Sequence, residues 1–225
     1  MQGTMGSIER LADRVRAGDL GSLRRILFEE LRFTGNTGSY YDPENSMLDS
    51  VISRRVGIPI TLSVLTIAVA RRADIDLLGV GLPGHFLVRP AGDPGCFIDP
   101  FAGGAVLDLE DCAELIRRTQ GDHARLLPEH LAPVGTALII ERMLNNLLAI
   151  YRSQGDRRGR LWVARLRTML PQATTIHQTD LAAALGESGR FDAAALLLDE
   201  LAAEADPETA RSLTVARDRM RSLMN

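Results

Sequence analysis

Residues 60–73 are apolar almost all round at helical spacing, so the chain must bury this run from every side. A helix of that kind sits in the middle of a domain, and the other elements are built around it. Pro59 marks its start, because a proline in the first turn gives up no hydrogen bond. Gly57 breaks the short helix before it, for which Asn45 reads as the N-cap and Met47, Leu48, Val51 and Ile52 as the buried side. Further upstream, residues 7–33 read as helix, with Leu20, Leu23, Ile26, Leu27 and Leu31 on one face. The stretch Thr34-Gly35-Asn36-Thr37-Gly38-Ser39 reads as a loop from its Gly and Asn content.

Strand signals follow the apolar helix. Leu77-Leu78-Gly79-Val80-Gly81-Leu82 is short and apolar. His85-Phe86-Leu87-Val88-Arg89 and Cys96-Phe97-Ile98-Asp99 flank Pro90-Ala91-Gly92-Asp93-Pro94-Gly95, a strong turn signal. An antiparallel hairpin centred on Gly92 sets His85 opposite Asp99, with side chains on one face and Cβ atoms about 5 Å apart. Cys96 then points to the other face.

From about residue 134 onward the pattern is helical, with an internal repeat at an offset of 34 residues. Leu148 maps to Ala182, Tyr151 to Leu185, Gly155 to Gly189 and Ala164 to Leu198. The second copy, through Gly189-Arg190-Phe191-Asp192-Ala193-Ala194, resembles the tetratricopeptide repeat in period and turn. The first copy departs from it at Arg160 and Trp162, where small residues are usual. A last amphipathic helix over residues 207–224 is expected to cap the array.

Composition narrows the classes of function. With 26 basic and 29 acidic side chains the net charge is −3, which offers no electrostatic footprint for direct nucleic-acid contact. Two cysteines, Cys96 and Cys112, make neither a disulfide framework nor a CxxC pair, so a cytoplasmic location is expected. No run approaches the roughly 18–20 apolar residues that span a bilayer, so no membrane association is expected. His123 and His130 have no Cys or carboxylate at metal-ligand spacing. The Gly81/Gly84 and Gly103-Gly104 pairs lack the strand–loop–helix context of a phosphate cradle. No metal and no cofactor are expected.

The chemistry concentrates at the helix start and the hairpin. A lone His on an apolar strand reads first as a structural residue. A buried carboxylate needs a partner, however, and the hairpin supplies one in His85. A His–Asp pair beside the N-terminus of a buried helix is the arrangement that activates a nucleophile, the acid orienting the base and the helix end favouring a thiolate. The residue at that helix start is Pro59. Thr61 and Ser63 are the nearby hydroxyls, and Ser63 also reads as a small buried residue bonding back to the carbonyl one turn earlier. Arg54 or Arg55 is a candidate partner for Asp99 or Glu44.

Taken together, Asp42-Pro43-x-Asn45-Ser46, Arg54-Arg55-x-Gly57-Ile58-Pro59-Ile60-x-Leu62-Ser63, Pro83-Gly84-His85-Phe86-Leu87-Val88-Arg89 and Ile98-Asp99-Pro100-Phe101 resemble the transglutaminase-like superfamily. They are similar to its SirB-type branch, bacterial proteins that join this domain to tetratricopeptide-like helices; the resemblance covers about residues 20–210. The resemblance implies an α+β, papain-like core with a small antiparallel sheet, followed by an all-α helical array. The implied domains are 7–120, a linker over 121–133, and repeats over 134–224. It implies a Cys–His–Asp triad in which His85 and Asp99 match and Pro59 stands in the place of Cys. It also places Asn45, Pro59 and Phe86 around a pocket.

Two functions follow as expectations. One is a catalytically silent domain with helical repeats that binds a protein or peptide partner in a regulatory or scaffold role, His85 and Asp99 being a vestigial pair. The other is an amide hydrolase or acyl transferase that uses Ser63 or Thr61 as nucleophile with the His85–Asp99 pair.

Overall fold

The structure is a computed structural model that describes residues 2–224. Its internal contacts divide the chain into two compact units, one up to Ile139 and the other from Ile140 onward.

The first unit is built around α4 (Pro59–Arg72), with Pro59 at its first turn. Its residues Leu62, Leu65, Val69 and Ala70 are almost wholly buried. The helix packs against α1 (Gln2–Ala12) and α3 (Leu48–Arg54). Leu23, Ile26, Leu27 and Leu31 join the same core, from α2 (Leu20–Arg24) and the wider π turn that follows it. The single N-terminal helix expected over residues 7–33 is therefore two. Gly18, in a left-handed conformation, sends its N–H to the Ala73 carbonyl, and Asp19 starts the second helix by accepting from Ser22 N–H.

A four-stranded antiparallel sheet follows, in the order β3 (Leu77–Val80), β4 (Leu87–Pro90), β5 (Phe97–Asp99), β6 (Ala105–Leu107). Alternation along the strands gives each face its own core. Val88 and Ile98 join Leu62, Leu65 and Val69, whereas Leu87 and Phe97 join Cys112, Leu115 and Ile116 of α5 (Leu109–Gln120). The sheet is thus buried between α4 and α5. Strand β6 carries no sequence signal beyond Ala105-Val106-Leu107 and exists because it pairs with β5.

Two expectations are corrected nearby. The 34–39 loop contains β1 (Thr34–Gly35), which pairs in parallel with β2 (Val56–Gly57). Asn45 does not cap α3: it lies in a 3-10 turn, Pro43–Ser46, which Asp42 caps by accepting from Glu44 N–H. The helix also ends at Arg54, before Gly57, because Arg55 takes the left-handed conformation at its C-terminus.

Residues 121–133, read as a linker, belong to the first unit. Pro133 bridges to Val80, and Val134 N–H bonds the Gly79 carbonyl at 2.8 Å. Beyond them come α6 (Thr136–Gln154), α7 (Arg157–Thr168), α8 (Thr175–Glu187), α9 (Phe191–Glu204) and α10 (Pro207–Ser222). From α7 to α10 each helix packs on its neighbour in sequence, around Ala182, Leu198, Leu201 and Leu213. Asp156 and Asp206 cap α7 and α10. Gly155 and Gly189, the repeat-related pair, both have positive φ just after a helix, where a side chain would be strained.

Candidate functional site

Strands β4 and β5 close with Val88 opposite Ile98, which differs by two residues from a hairpin centred on Gly92. A shift of two keeps every side chain on its face but sets Asp99 opposite Leu87. His85 therefore lies outside β4, in the turn made by Pro83 and Gly84, with its N–H on the Leu82 carbonyl. From there its Nε2 reaches Asp99 Oδ2 at 2.9 Å. The two side chains meet on a diagonal, not directly across the ladder.

Asp99 is fully engaged. Its Oδ1 accepts from the N–H groups of Phe101 (2.9 Å) and Ala102 (3.2 Å). Its own carbonyl accepts from Gly104 N–H at 2.8 Å. The carboxylate thus closes the Pro100-Phe101 turn with one oxygen and orients the imidazole with the other. A carboxylate oxygen accepts, so in this bond the imidazole is the donor.

The residues at the start of α4 are engaged with other groups. At the start of α4 Pro59 is buried and has neither a thiol nor an N–H. Thr61 is 0% exposed and fully employed: its Oγ1 accepts from Ile58 N–H at 3.2 Å and faces the carbonyls of Asn45 (2.6 Å) and Ile58 (3.1 Å). Its hydroxyl locks the helix start to the turn that contains Asn45. Ser63 is 0% exposed and donates to the Phe86 carbonyl at 3.3 Å, so it braces α4 to the segment before β4 instead of bonding back along its own helix. The back-bonding hydroxyl on α4 belongs to Thr66, on the Leu62 carbonyl.

The residues expected around a pocket are buried. Asn45 and Phe86 are 0% exposed, and the His85–Asp99 pair is nearly as deep. Asn45 Nδ2 donates to the carbonyls of Ser39 and Tyr40, and its Oδ1 accepts from Asn36 Nδ2. This pins the 36–42 segment in place. Over His85 lies the Phe101 ring, edge to face with a 5.7 Å centroid separation; Tyr40 packs on Phe101, and exposed Tyr41 on Tyr40. Gly35 makes room for this stack, since a Cβ there would come within 2.5 Å of the Phe101 ring. The roles of Phe101, Tyr40 and Gly35 were missed from the sequence. They depend on β1 pairing with β2, for which a two-residue strand leaves no periodic signal.

The remaining candidates fall elsewhere. Arg54 pairs with Asp42 at 2.8 Å, and Arg55 donates to the Leu31 carbonyl; neither pairs with Asp99 or Glu44. Cys96 is half-buried. Cys112 is fully buried, and burial together with Asp111, Asp108 and Asp99 pushes its thiol up to about 12, so it offers no thiolate. His130 accepts from Leu127 N–H through Nδ1. Among the described residues no group of three or more His, Cys, Asp and Glu could hold a metal, and no helix is long and apolar enough to cross a membrane.

A family model described as the transglutaminase-like superfamily matches residues 6–145. The chain is 45% identical over 136 residues to a UPF0162 protein of Xylella fastidiosa, covering 59% of this chain and 48% of that one. A UPF0162 protein of Pseudomonas aeruginosa is 35% identical over 149 residues, covering 65% and 53%. F-box only protein 21 of Mus musculus is 32% identical over 145 residues, covering 60% of this chain and 22% of that protein. The chain therefore spans about half the length of the bacterial relatives it matches. No solved structure matches it.

Proposed function

This chain belongs to the transglutaminase-like superfamily, and from that membership we propose that it is a catalytically silent member that acts by binding a protein or peptide partner. One observation carries the reading: Pro59 stands at the start of α4, in the place that the resemblance gives to Cys, and the neighbouring hydroxyls of Thr61 and Ser63 are both buried and bonded elsewhere. A nucleophile residue commonly lends its own backbone N–H to the oxyanion hole, and proline has none. Pro59 supplies neither an attacking atom nor that donor.

In this reading His85 and Asp99 are kept as a brace. Their bond ties the turn before β4 to the turn after β5, and the aromatic stack seals it. The enzyme alternative shares the His85–Asp99 pair but requires Ser63 or Thr61 to give up the bond it makes in order to attack. The finer reading places the chain in a SirB-type branch: domain 7–120, tetratricopeptide-like helices from 134, a regulatory or scaffold role in the cytoplasm. The sequential packing of α7 to α10 and the paired glycines support the array. The appearance of a similar domain within the much longer F-box only protein 21 supports a module that works as part of a larger assembly.

Affinity capture with the wild type and with His85→Ala tests the reading. A binding protein retains the same partners in both, at yields that scale with the folded fraction read by circular dichroism. Species that accumulate only on the variant would be trapped substrates and would overturn it.

A further inference from the structure

Away from the His85 pair, the first unit carries a groove of about 240 Å³ between α1, the π turn after α2, and α3. Leu11 and Ile52 are half-exposed along it, with Leu31 and Phe33 beneath. Its charged lining is of one sign: Arg10, Arg14 and Arg55. Arg14 is tied to Glu30 at 2.8 Å, Arg10 leans on Ser7 Oγ, and Arg55 spends one N–H on the Leu31 carbonyl. All three side chains are exposed. Arg55 also holds the left-handed conformation, with φ of 59°, at a position where glycine would be the unstrained choice. It ends α3 there and sets Arg55 in the lining of the groove.

We infer that this groove binds an acidic peptide segment, one large apolar side chain entering over Leu11 and Ile52 and its flanking carboxylates meeting Arg10, Arg14 and Arg55. The inference rests on the proposed reading of the chain as a binding protein and supplies its partner's chemistry. Charge complementarity selects the occupant. Guanidinium groups pair with carboxylates through two parallel hydrogen bonds. Arg10 and Arg55 have no carboxylate partner among the described ion pairs, Arg14 would share itself with Glu30, and together they disfavour a basic segment. Size points the same way: the volume lies below the roughly 300–1,000 Å³ of small-molecule pockets and fits one side chain of a peptide. A second depression shares Ser7 and Ile52 with the groove and is lined also by Asp49. That carboxylate sets the polarity of binding, because the ligand's acidic side must lie toward the arginines.

Fluorescence polarisation with labelled hexapeptides tests this, using a Leu or Phe flanked by Asp and Glu, and matched peptides flanked by Lys. The full chain should bind the acidic set at least tenfold more tightly, with affinity falling as salt rises. Arg10→Glu should weaken binding tenfold or more while leaving the circular dichroism spectrum unchanged, and Arg10→Lys should recover part of the loss. Arg14→Ala should weaken it as well. Equal binding of acidic and basic sets, no binding of either, or tighter binding of a single-stranded oligonucleotide would each overturn the groove assignment. So would acidic-peptide affinity that survives Arg10→Glu together with Arg14→Ala. Partner capture that persists in that double variant removes the groove and leaves the binding reading standing. His85-dependent turnover removes the reading itself.

Discussion

His85 Nε2 and Asp99 Oδ2 lie 2.9 Å apart in a buried site, held by two turns and not by direct opposition in the sheet. This makes the pair a tie between segments, and its energetics should look structural. Breaking one partner of a buried, hydrogen-bonded pair costs about 3–5 kcal/mol. Asp99→Ala should reach that range, because it also strips an acceptor from the N–H groups of Phe101 and Ala102. Asp99→Asn, which can keep the turn, should cost less. A double-mutant cycle with His85→Ala, read by urea denaturation, should give a coupling of about 0.5–3 kcal/mol. Coupling near zero would contradict the brace.

Thr61 and Ser63 should separate in the opposite order from that expected of a nucleophile next to a base. Thr61→Val removes the hydroxyl that joins the α4 start to the Asn45 carbonyl and should cost about 1–3 kcal/mol. Ser63→Ala removes one long bond of 3.3 Å and should cost no more than about 1 kcal/mol. Thermal melts of the two variants check this. A Ser63→Ala loss larger than the Thr61→Val loss would require a different role for Ser63.

Asn45 was read as a helix cap, yet its side chain holds a loop. Asn45→Asp turns the group that donates to the Ser39 and Tyr40 carbonyls into an acceptor facing two acceptors, at full burial. An unpaired buried polar group costs about 1–3 kcal/mol, and more when charged. The 36–42 segment should loosen, Phe101 should lose the support of Tyr40, and hydrogen exchange at residues 36–42 should rise before any global change. Unchanged exchange there would contradict the pinning.

These contrasts show which parts were legible in the chain. Residues 60–73 and Pro59 set out α4 plainly, because an all-apolar helix with a starter proline admits one reading. The runs His85–Arg89 and Cys96–Asp99, with the turn signal between them, marked the β4–β5 hairpin. Pairing of His85 with Asp99 was also legible, but through a register displaced by two residues. The error left both side chains on their face, which is why the contact formed regardless. What could not be read was long-range: Gly35 beneath Phe101, β6 beside β5, and Gly18 bonding to Ala73. None of these has a local pattern, since each is decided by which distant segment arrives.

The two thiols should differ sharply. Cys112 is fully buried and its thiol is pushed up to about 12, so native protein at pH 8 should be alkylated by iodoacetamide at Cys96 far faster than at Cys112. The sign of the linkage follows. The folded state keeps the Cys112 proton that the unfolded chain releases near pH 8.5–9, so this contribution to stability is complete below that pH and is lost as pH rises toward about 12. Cys112→Ala should flatten the fall in stability above pH 9. An unaltered slope in the variant would contradict the assignment.

The most direct test of a silent site is covalent. Wild-type protein treated with a fluorophosphonate probe and with a chloroacetamide probe should show no modification at Ser63 or Thr61 by peptide mass mapping, and no difference between wild type and His85→Ala. Probe adducts on either hydroxyl that disappear in His85→Ala would establish a working nucleophile and contradict the account.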